Sequence, residues 1–470
     1  VKKATIQINY SEAGCYPIEF EVQGTALICS PGTLATPTKI AVPSGDNPIA
    51  IAQGDFNEDG NQDVGAVFLS NVVSISLGDG NGAFSTTIEV PLVIGASYNP
   101  DGFDRSSGSF KMQVGDFNLD GHLDLAIPTF DTKITLLYGD GIGNFPTRKD
   151  VQLIGTNGTP IATQIKIGEF NGDGIPDFVV MVREGSNRDQ TNMILSTSAT
   201  SYTVSGLSFP GFADGNGGSV SVSVYSLGVV IEDFDKDGFQ DIVSSGSTFF
   251  STNSDGIYFI KGNGDGTFQS NQNQYGLNLK GYSGVTGDFN KDGHLDIMWS
   301  DGFDPLEIFN GDGTGVFVKD VDNYPVYDTA LKMSVGDLNG DGNKDILIPT
   351  YEFLSVYFGK DIGGFEDYTS RNEFFISNYT ENQYTDVSIA DFNNDGVQDV
   401  IAAHAQGLYF LQGNKGGEIN LQGNATTIVS VDTTPSVLDA TDFGDITLNT
   451  PTIKTYTIQN TGNSDLTVST

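Results

Sequence analysis

The sequence that decides the fold lies at residues 54–63 and is GDFNEDGNQD. Six variants follow along the chain: GDFNLDGHLD (115–124), GEFNGDGIPD (168–177), EDFDKDGFQD (232–241), GDFNKDGHLD (287–296), GDLNGDGNKD (336–345) and ADFNNDGVQD (390–399). Their first acidic residues are separated by 61, 53, 64, 55, 49 and 54 residues. A recurrence of this length predicts one structural unit per copy, as in a solenoid, a propeller or an array.

A glycine-rich turn follows most copies at a near-constant distance. In the first repeat it is Gly78-x-x-x-Gly82-x-Phe84; the seventh copy has Ile419 in place of the phenylalanine, and the third repeat lacks the turn. Between these signals lie short β-rich runs, which in the first repeat are PIAIAQGDF, DVGAVF, VVSISLGDG and FSTTIEVPL. Four strands per repeat, with no helical period, predict an all-β fold, a seven-bladed β-propeller of four-stranded blades.

One apolar residue recurs directly after the first acid of each copy. These residues are Phe56, Phe117, Phe170, Phe234, Phe289, Leu338 and Phe392. A single four-stranded sheet cannot bury both of its faces, whereas blades stacked around an axis can. We therefore expect these side chains to pack between neighbouring blades.

Each copy contains a nine-residue acidic loop with the pattern Asp-x-Asn/Asp-x-Asp-Gly-x-x-Asp. Oxygen-bearing side chains stand at positions 1, 3, 5 and 9, and the backbone carbonyl of position 7 can add one more ligand. Ca²⁺ takes six to eight oxygens, whereas Mg²⁺ seldom uses all-protein cages. An EF-hand would need a glutamate at position 12, which no copy has. The pattern predicts about seven structural calcium sites; acidic turns solvated by water are the alternative.

The predicted metal ligands are the residues at positions 1, 3, 5, 7 and 9 of each loop, with position 7 acting through its carbonyl. They are Asp55, Asn57, Asp59, Asn61 and Asp63; Asp116, Asn118, Asp120, His122 and Asp124; Glu169, Asn171, Asp173, Ile175 and Asp177; Asp233, Asp235, Asp237, Phe239 and Asp241; Asp288, Asn290, Asp292, His294 and Asp296; Asp337, Asn339, Asp341, Asn343 and Asp345; Asp391, Asn393, Asp395, Val397 and Asp399. We expect the weakest binding in the third loop, which begins with the longer Glu169.

The charge of the chain limits its partners. It has 60 acidic and 22 basic residues among 470, a formal net charge of −38. Such a surface repels nucleic-acid backbones and anionic membranes, and no apolar stretch is long enough for insertion into a membrane. The three histidines and the acids form no recognisable catalytic motif. We therefore expect no enzymatic activity.

The run GDFNEDGNQDVGAVF, with GDGNGAF after it, resembles the FG-GAP (VCBS-type) repeat, over about residues 40–425. Similar repeats build the propeller of integrin α subunits, many bacterial surface proteins, calcium-loaded fungal lectins and some polysaccharide-processing enzymes. The resemblance implies a calcium-bearing propeller at 36–428. A β-rich segment, residues 1–35, precedes it. The segment 429–470 is similar to the opening strands of an immunoglobulin-like domain, of which it is only a part.

These observations predict a non-catalytic, extracellular or cell-surface calcium-binding module of a larger adhesive protein. It would bind a protein or glycan on the face opposite the acidic loops, where the long insertions 93–108 and 209–220 are expected. The alternatives are a lectin, a polysaccharide hydrolase or lyase, and a filament subunit that self-associates through its terminal β-segments. Cys15 and Cys29 either form a disulfide or stay as two thiols.

Overall fold

The computed structural model describes only part of the chain. The described residues are 2–8, 34–42, 47–92, 111–155, 159–183, 189–207, 212–213, 219–220, 228–246, 256–269, 273–275, 283–300, 306–321, 324, 332–350, 353–360, 362–365, 372–374, 384–414, 419–423, 426–427 and 452–460. Cys15, Cys29 and the insertion at 93–108 lie outside them. Within these ranges no helix is long and apolar enough to cross a membrane.

All described elements are strands. In chain order they are β1 (Lys2–Ile8), β2 (Thr38–Ile40), β3 (Pro48–Gly54), β4 (Asp63–Phe68), β5 (Val72–Gly78), β6 (Phe84–Pro91), β7 (Gln113–Gly115), β8 (Asp124–Pro128), β9 (Lys133–Tyr138), β10 (Thr147–Gln152), β11 (Ile161–Gly168), β12 (Asp177–Arg183), β13 (Asp189–Ser198), β14 (Ser201–Leu207), β15 (Phe212–Ala213), β16 (Ser219–Val220), β17 (Val229–Glu232), β18 (Asp241–Gly246), β19 (Gly256–Ile260), β20 (Asn273–Tyr275), β21 (Ser283–Gly287), β22 (Asp296–Ser300), β23 (Glu307–Gly311), β24 (Phe317–Lys319), β25 (Ser334–Gly336), β26 (Asp345–Pro349), β27 (Leu354–Tyr357), β28 (Asn372–Phe374), β29 (Tyr384–Ala390), β30 (Asp399–His404), β31 (Gly407–Leu411), β32 (Ile419–Gly423), β33 (Thr426–Thr427) and β34 (Thr452–Asn460).

The described strands form seven antiparallel four-stranded sheets that are the blades of a propeller. Strands β3–β6, β7–β10, β11–β14, β17–β20, β21–β24 and β25–β28 build blades 1 to 6 in turn. The first strand of each blade is innermost and contacts the first strand of the next blade, and β29 of blade 7 contacts β3 to close the ring. The predicted seven-bladed, all-β fold is confirmed.

Blade 7 obtains its outer strand from the beginning of the propeller. Its order is β29-β30-β31-β2, and Thr38 of β2 pairs with Phe410 of β31. The segment Ile419–Gly423, which follows the glycines around Gly413, pairs with Thr452–Asn460 in another sheet and is not the outer strand of this blade. An antiparallel pair between distant segments ties the two ends of the ring together.

The apolar core consists of side chains packed between neighbouring blades. One buried cluster joins Val73 and Ile75 of blade 1 to Leu125, Ile127 and Leu137 of blade 2. Every residue of the second strand Asp63–Phe68 is buried, because this strand lies inside its sheet and both of its faces are covered by other blades. Packing of this kind fixes the ends of the strands, and with them the acidic loops.

Two compact units divide the chain. The propeller comprises residues 36–337 and 343–412, and the other unit comprises 1–35, 338–342 and 413–470. In the second unit β1 pairs with β34 in a four-stranded sheet, so the N-terminal β-rich segment and the C-terminal segment share one sheet. Most of 429–470 lies outside the described residues, and its likeness to an immunoglobulin-like domain stays a prediction.

Candidate metal centre

Each acidic loop joins the first and second strands of its blade. In the first loop the Asp55 carboxylate accepts hydrogen bonds from the backbone N–H groups of Asp59 at 3.1 Å and Gly60 at 2.8 Å. Asn57 Oδ1 accepts from the N–H of Asp59 at 3.1 Å, and Asp59 Oδ1 accepts from that of Asn61 at 2.9 Å. The side-chain oxygens at positions 1, 3 and 5 are therefore turned inward over one short stretch of backbone.

The second, fifth and seventh loops repeat this arrangement, and so does the fourth, with Asp235 at position 3. In these four loops the position-1 carboxylate accepts from the N–H groups of positions 5 and 6 at 2.9–3.1 Å. Position 3 accepts from the N–H of position 5 at 2.9–3.3 Å. The first, second, fourth, fifth and seventh loops thus each bring together three of their five predicted ligands. Carboxylate and amide oxygens are the donor types that fit Ca²⁺.

The position-9 aspartates are fully buried and fasten the loop to the blade. Asp63 Oδ2 accepts from the N–H of Phe56 at 2.9 Å, and its Oδ1 accepts from that of Gly78, at the end of the third strand, at 2.8 Å. Equivalent bonds are made by Asp124, Asp177, Asp241 and Asp296. Burial raises the pKa of each of these five carboxyls to about 6. We call this pair of hydrogen bonds the clasp.

The third loop departs from this geometry at its first residue. Glu169 Oε1 accepts from the N–H groups of Asn171 at 3.1 Å and Gly172 at 2.7 Å, so the longer side chain folds onto positions 3 and 4. Asn171 Oδ1 still accepts from the N–H of Asp173 at 2.9 Å. Positions 3 and 5 are therefore formed as in the other loops, whereas position 1 is displaced. Whether this weakens binding stays a prediction.

In the sixth loop, the side chains and backbone of positions 3 and 5 are hydrogen-bonded to each other. Asn339 Nδ2 donates to Asp341 Oδ2 at 3.0 Å, and the N–H of Asp341 donates to Asn339 Oδ1 at 3.0 Å. The Asp345 carboxylate accepts from the N–H of Gly359 at 2.9 Å, which is one bond of the clasp.

The side chain at position 7 contacts the neighbouring acidic loop, which the sequence did not indicate. This side chain contacts position 4 of the preceding loop in four polar pairs, Glu58–His122, Lys236–His294, Lys291–Asn343 and Asn394–Asn61. The remaining pairs by sequence, Leu119–Ile175, Gly172–Phe239 and Gly340–Val397, contain only apolar residues and glycines. In these four loops a polar residue at position 7 therefore meets a polar residue at position 4 of the preceding loop.

The backbone at position 4 is left-handed in all seven loops, with φ between 57° and 75°. Only Gly172 and Gly340 are glycines at this position, so the requirement was not visible in the sequence. At Leu119, with φ of 58°, the side chain makes this conformation costly.

In the fourth loop a lysine ammonium group lies among the carboxylates. The carboxylate oxygens of Asp233, Asp235 and Asp237 lie within 4.8 Å of one another. Lys261 Nζ donates to Asp235 Oδ2 and lies 2.6 Å from Asp237 Oδ2. Sequence reasoning missed this lysine. The signal was present, because this loop alone has aspartate at position 3 and a lysine directly before Gly262.

The glycine-rich turns pack on the acidic loops of the preceding blades. The N–H of Gly143 donates to the carbonyl of Phe56 at 2.9 Å, and the ring of Phe145 lies edge-on to that of Phe56 with centroids 5.7 Å apart. Four further ring pairs, Phe170–Phe268, Phe234–Phe317, Phe289–Phe365 and Phe392–Phe84, have centroids 5.4–5.9 Å apart. In blade 3, which lacks the turn, Phe178 takes this place against Phe117 at 5.0 Å. Packing of these aromatic residues between blades is confirmed.

Comparison with known proteins identifies the repeat. The FG-GAP-like repeat family matches residues 55–127, 116–180 and 233–299. Two similar crystal structures, described as BBS1N in complex with ARL6DN and soaked with mercury or lead, have TM-scores of 0.51 and 0.50. Both are 12% identical, and the match covers 81% of this chain and 96% of theirs. No curated protein matches the chain in sequence. The chain therefore contains FG-GAP-like repeats, and it folds as a seven-bladed β-propeller.

Proposed function

We propose that the chain is a calcium-stabilised, non-catalytic propeller that binds another protein, as part of a larger extracellular or cell-surface protein. The observation that carries the proposal is the inward arrangement of the oxygens at positions 1, 3 and 5, which recurs in five loops. The carbonyl of position 7 and the carboxylate of position 9 would complete each calcium site. Bound calcium supplies positive charge and cross-links the loop.

Electrostatics support a cation in these loops. Asp55, Asp59 and Asp63 stand within nine residues of one another, in a chain with a net charge of −38. Neighbouring carboxylates and burial both disfavour ionisation, and the pKa of Asp63 is raised to about 6 by its burial. A bound cation would favour the ionised form. Sites of this kind in extracellular modules bind weakly, at about 10⁻⁴–10⁻³ M, which suits the calcium concentration outside cells.

Protein binding is supported by the fold and by the surface of the loops. The similar BBS1N structure is described as a complex with ARL6DN. In this chain Ile142, Phe239 and Ile362, which lie in the loops and turns between strands, are exposed apolar side chains, with 67%, 43% and 89% of their surface accessible. On the segment 209–220, strands β15 and β16 form a short hairpin. The remainder of that segment lies outside the described residues, so the opposite face stays a prediction.

Calcium titration tests the proposal. At free calcium about 100-fold above Kd, each site should stabilise the fold by roughly 2.7 kcal/mol. We expect a higher melting temperature in calcium than in chelator, and calorimetric binding of several ions. Asp55→Asn should lower the number of bound ions by one. Asp79→Asn is the matched control, because the Asp79 carboxylate accepts from the backbone N–H groups of Asn81 and Ala83 in the adjacent turn.

Equal melting temperatures in calcium and chelator, with no heat of binding, would refute the calcium role. The partner class is tested separately. Saturable binding to a glycan array would replace protein binding with a lectin function, and release of products from polysaccharides would replace it with an enzymatic one.

A further inference from the structure

The innermost strands differ from blade to blade, unlike the acidic loops. Five residues before the first acid of each loop, the seven copies have Ala50, Lys111, Gln164, Gly228, Ser283, Lys332 and Asp386. Four of these residues are large and polar. Lys166 lies two residues after Gln164 on β11, so both side chains face the same side of that strand. Large polar residues thus occupy this level of the ring in some blades, although the other blades have small residues at the equivalent position.

Side chains from blades 2, 6 and 7 meet at this level. Lys332 Nζ lies 3.5 Å from Asp386 Oδ2, and Lys111 Nζ lies 3.9 Å from Asp386 Oδ1. Asp386 is 1% exposed and also accepts from the N–H of Ile51 of blade 1 at 3.1 Å. Blades 2 and 7 are not neighbours, so Lys111 reaches Asp386 across the inner side of blade 1. The cluster therefore lies in the axial channel that the seven innermost strands enclose.

A β-bulge directs two of these residues toward the axis. The pairing of β11 with β12 shifts between Ala162 and Gln164, and that of β29 with β30 shifts between Tyr384 and Asp386. A bulge inserts an extra residue and re-aims the side chains beside it. Blade 1 has the same shift, between Pro48 and Ala50, so the irregularity recurs at this level in three blades and places Gln164 and Asp386 in one layer.

Among the residues that the structure describes, the cluster contains more positive than negative charge. Three ammonium groups, those of Lys111, Lys166 and Lys332, face the carboxylates of Asp386 and Glu232. No hydrogen bond or ion pair to Lys166 is found among the described residues, and Glu232 accepts from Thr286 Oγ1 at 3.1 Å. Lys332 is buried and Lys166 is half-buried, and charged groups inside a protein are normally paired. This positive surplus is notable in a chain that has 22 basic and 60 acidic residues.

Gln164 adds a second unsatisfied group. Its side chain is 6% exposed, and its Oε1 is buried without a hydrogen-bond partner in the part of the chain that the structure describes. The two ends of an amide are interchangeable in shape, so the same position can offer an N–H donor when the group is turned over. A ligand in the channel would satisfy it.

We propose that the axial channel binds one small oxyanion, held by Lys111, Lys166 and Lys332 with Gln164 as an additional donor. Lysine ammonium groups are common ligands of phosphate and other oxyanions. The level of the cluster is about 16 Å along the strand from the acidic loops, at about 3.3 Å per residue. An anion would therefore enter from the face opposite the acidic loops, away from their repulsion. The inference goes beyond the proposed calcium role and does not rest on it.

Titration of the intact chain with inorganic sulfate and inorganic phosphate tests the site, with chloride at equal ionic strength as the reference. Calorimetry should show one saturable site. Lys166→Met and Lys332→Met should each weaken binding by roughly tenfold or more, equivalent to about 1.4 kcal/mol. Lys149→Met, at an exposed lysine of β10, should leave the affinity unchanged. Lys166→Arg keeps the charge and should retain binding if Lys166→Met fails to fold.

Absence of saturable binding to the wild-type chain would overturn the proposal. Equal affinity in the Lys166→Met, Lys332→Met and Lys149→Met variants would also overturn it, because binding would then be a property of the general surface. Loss of sulfate binding together with intact calcium binding would separate this site from the acidic loops.

Discussion

The acidic loops and the axial channel are opposite in charge and in their relation to the repeat. The loops are negative, and oxygen-bearing side chains recur at positions 1, 3, 5 and 9 in every copy. The channel gathers Lys111, Lys166 and Lys332, which have no counterparts in most blades. A feature needed by each blade recurs in each blade, whereas a single site on the axis needs only a few residues. Repeated residues therefore indicate what holds this fold, and unrepeated polar residues indicate where one specific ligand fits.

Removing a clasp should have the largest effect on the repeated region. In Asp63→Asn one of the two backbone N–H groups loses its carboxylate acceptor and remains buried. We expect a loss of about 3 kcal/mol in the free energy of unfolding, measured by chemical denaturation. Asp241→Asn should cost as much, because the fourth loop has the same clasp.

The loss should persist in chelator, since the clasp consists of hydrogen bonds within the chain. The exposed Asp79→Asn is the control and should cost little. A loss in Asp63→Asn that appears only in calcium would show that this residue acts as a metal ligand alone.

The channel should show a different pH dependence from the loops. Burial lowers the pKa of Lys166 and Lys332 from 10.5 to about 8, with Lys111, Asp386 and Glu232 as the charged neighbours. A lysine whose pKa is lower in the folded state destabilises the fold while it is protonated. That penalty disappears as the pH rises from about 8 to about 10.5.

Relative to Lys332→Met, the wild-type chain should therefore gain about 2 kcal/mol of stability between about pH 7.5 and about pH 10. Denaturation of both proteins at both pH values measures the difference. Lys149→Met serves as the control for a solvated lysine. A constant difference between wild type and Lys332→Met would contradict the buried position of this lysine.

Lys261 distinguishes the fourth loop from the others within the repeated region. Lys261→Met leaves Asp233, Asp235 and Asp237 without their internal cation and should cost about 1 kcal/mol in chelator. Calcium should restore this loss, and calorimetry should count one more ion than in the wild-type chain. The reciprocal change is Leu77→Lys. Leu77 directly precedes Gly78 in blade 1, as Lys261 directly precedes Gly262 in blade 4, so this variant introduces an ammonium group at the equivalent position.

We expect Leu77→Lys to remove one ion from the count. Unchanged counts in both variants would mean that Lys261 does not compete with the metal.

Position 4 of the second loop should show the smallest effect. Asparagine tolerates the left-handed conformation better than leucine does, so Leu119→Asn should stabilise the fold by about 0.5–1 kcal/mol. Thermal unfolding in calcium and in chelator measures the gain. Leu119→Ala keeps a Cβ atom without the polar group and should bring no comparable gain; an equal gain in both variants would argue against backbone strain.

The repeat predicted the blades well because its signals are local. Ten residues specify an acidic loop, and alternating short strands follow from the turns around them. The closure of blade 7 by Thr38–Ile40 was not predictable in this way, since its pairing partner lies about 370 residues away along the chain. Lys261 was visible in the sequence but acquires its role only when the third strand places it beside the loop.

The cluster of charged residues in the channel could not be predicted from the sequence for a similar reason. Lys111 and Asp386 belong to different repeats, and they meet only after seven blades have closed into a ring. The same holds for the contacts between positions 4 and 7 of neighbouring loops, such as Glu58 with His122. Positions 4 and 7 vary among the seven copies, and in the four polar pairs their side chains contact a residue of the adjacent copy.

A crystal of the chain grown in calcium, measured at a wavelength where calcium scatters anomalously, tests the role of the acidic loops most directly. We expect an anomalous peak enclosed by the oxygens of positions 1, 3 and 5 in the first, second, fifth and seventh loops, with a weaker peak or none beside Lys261. Loops of the described shape with no peak at those oxygens would contradict it.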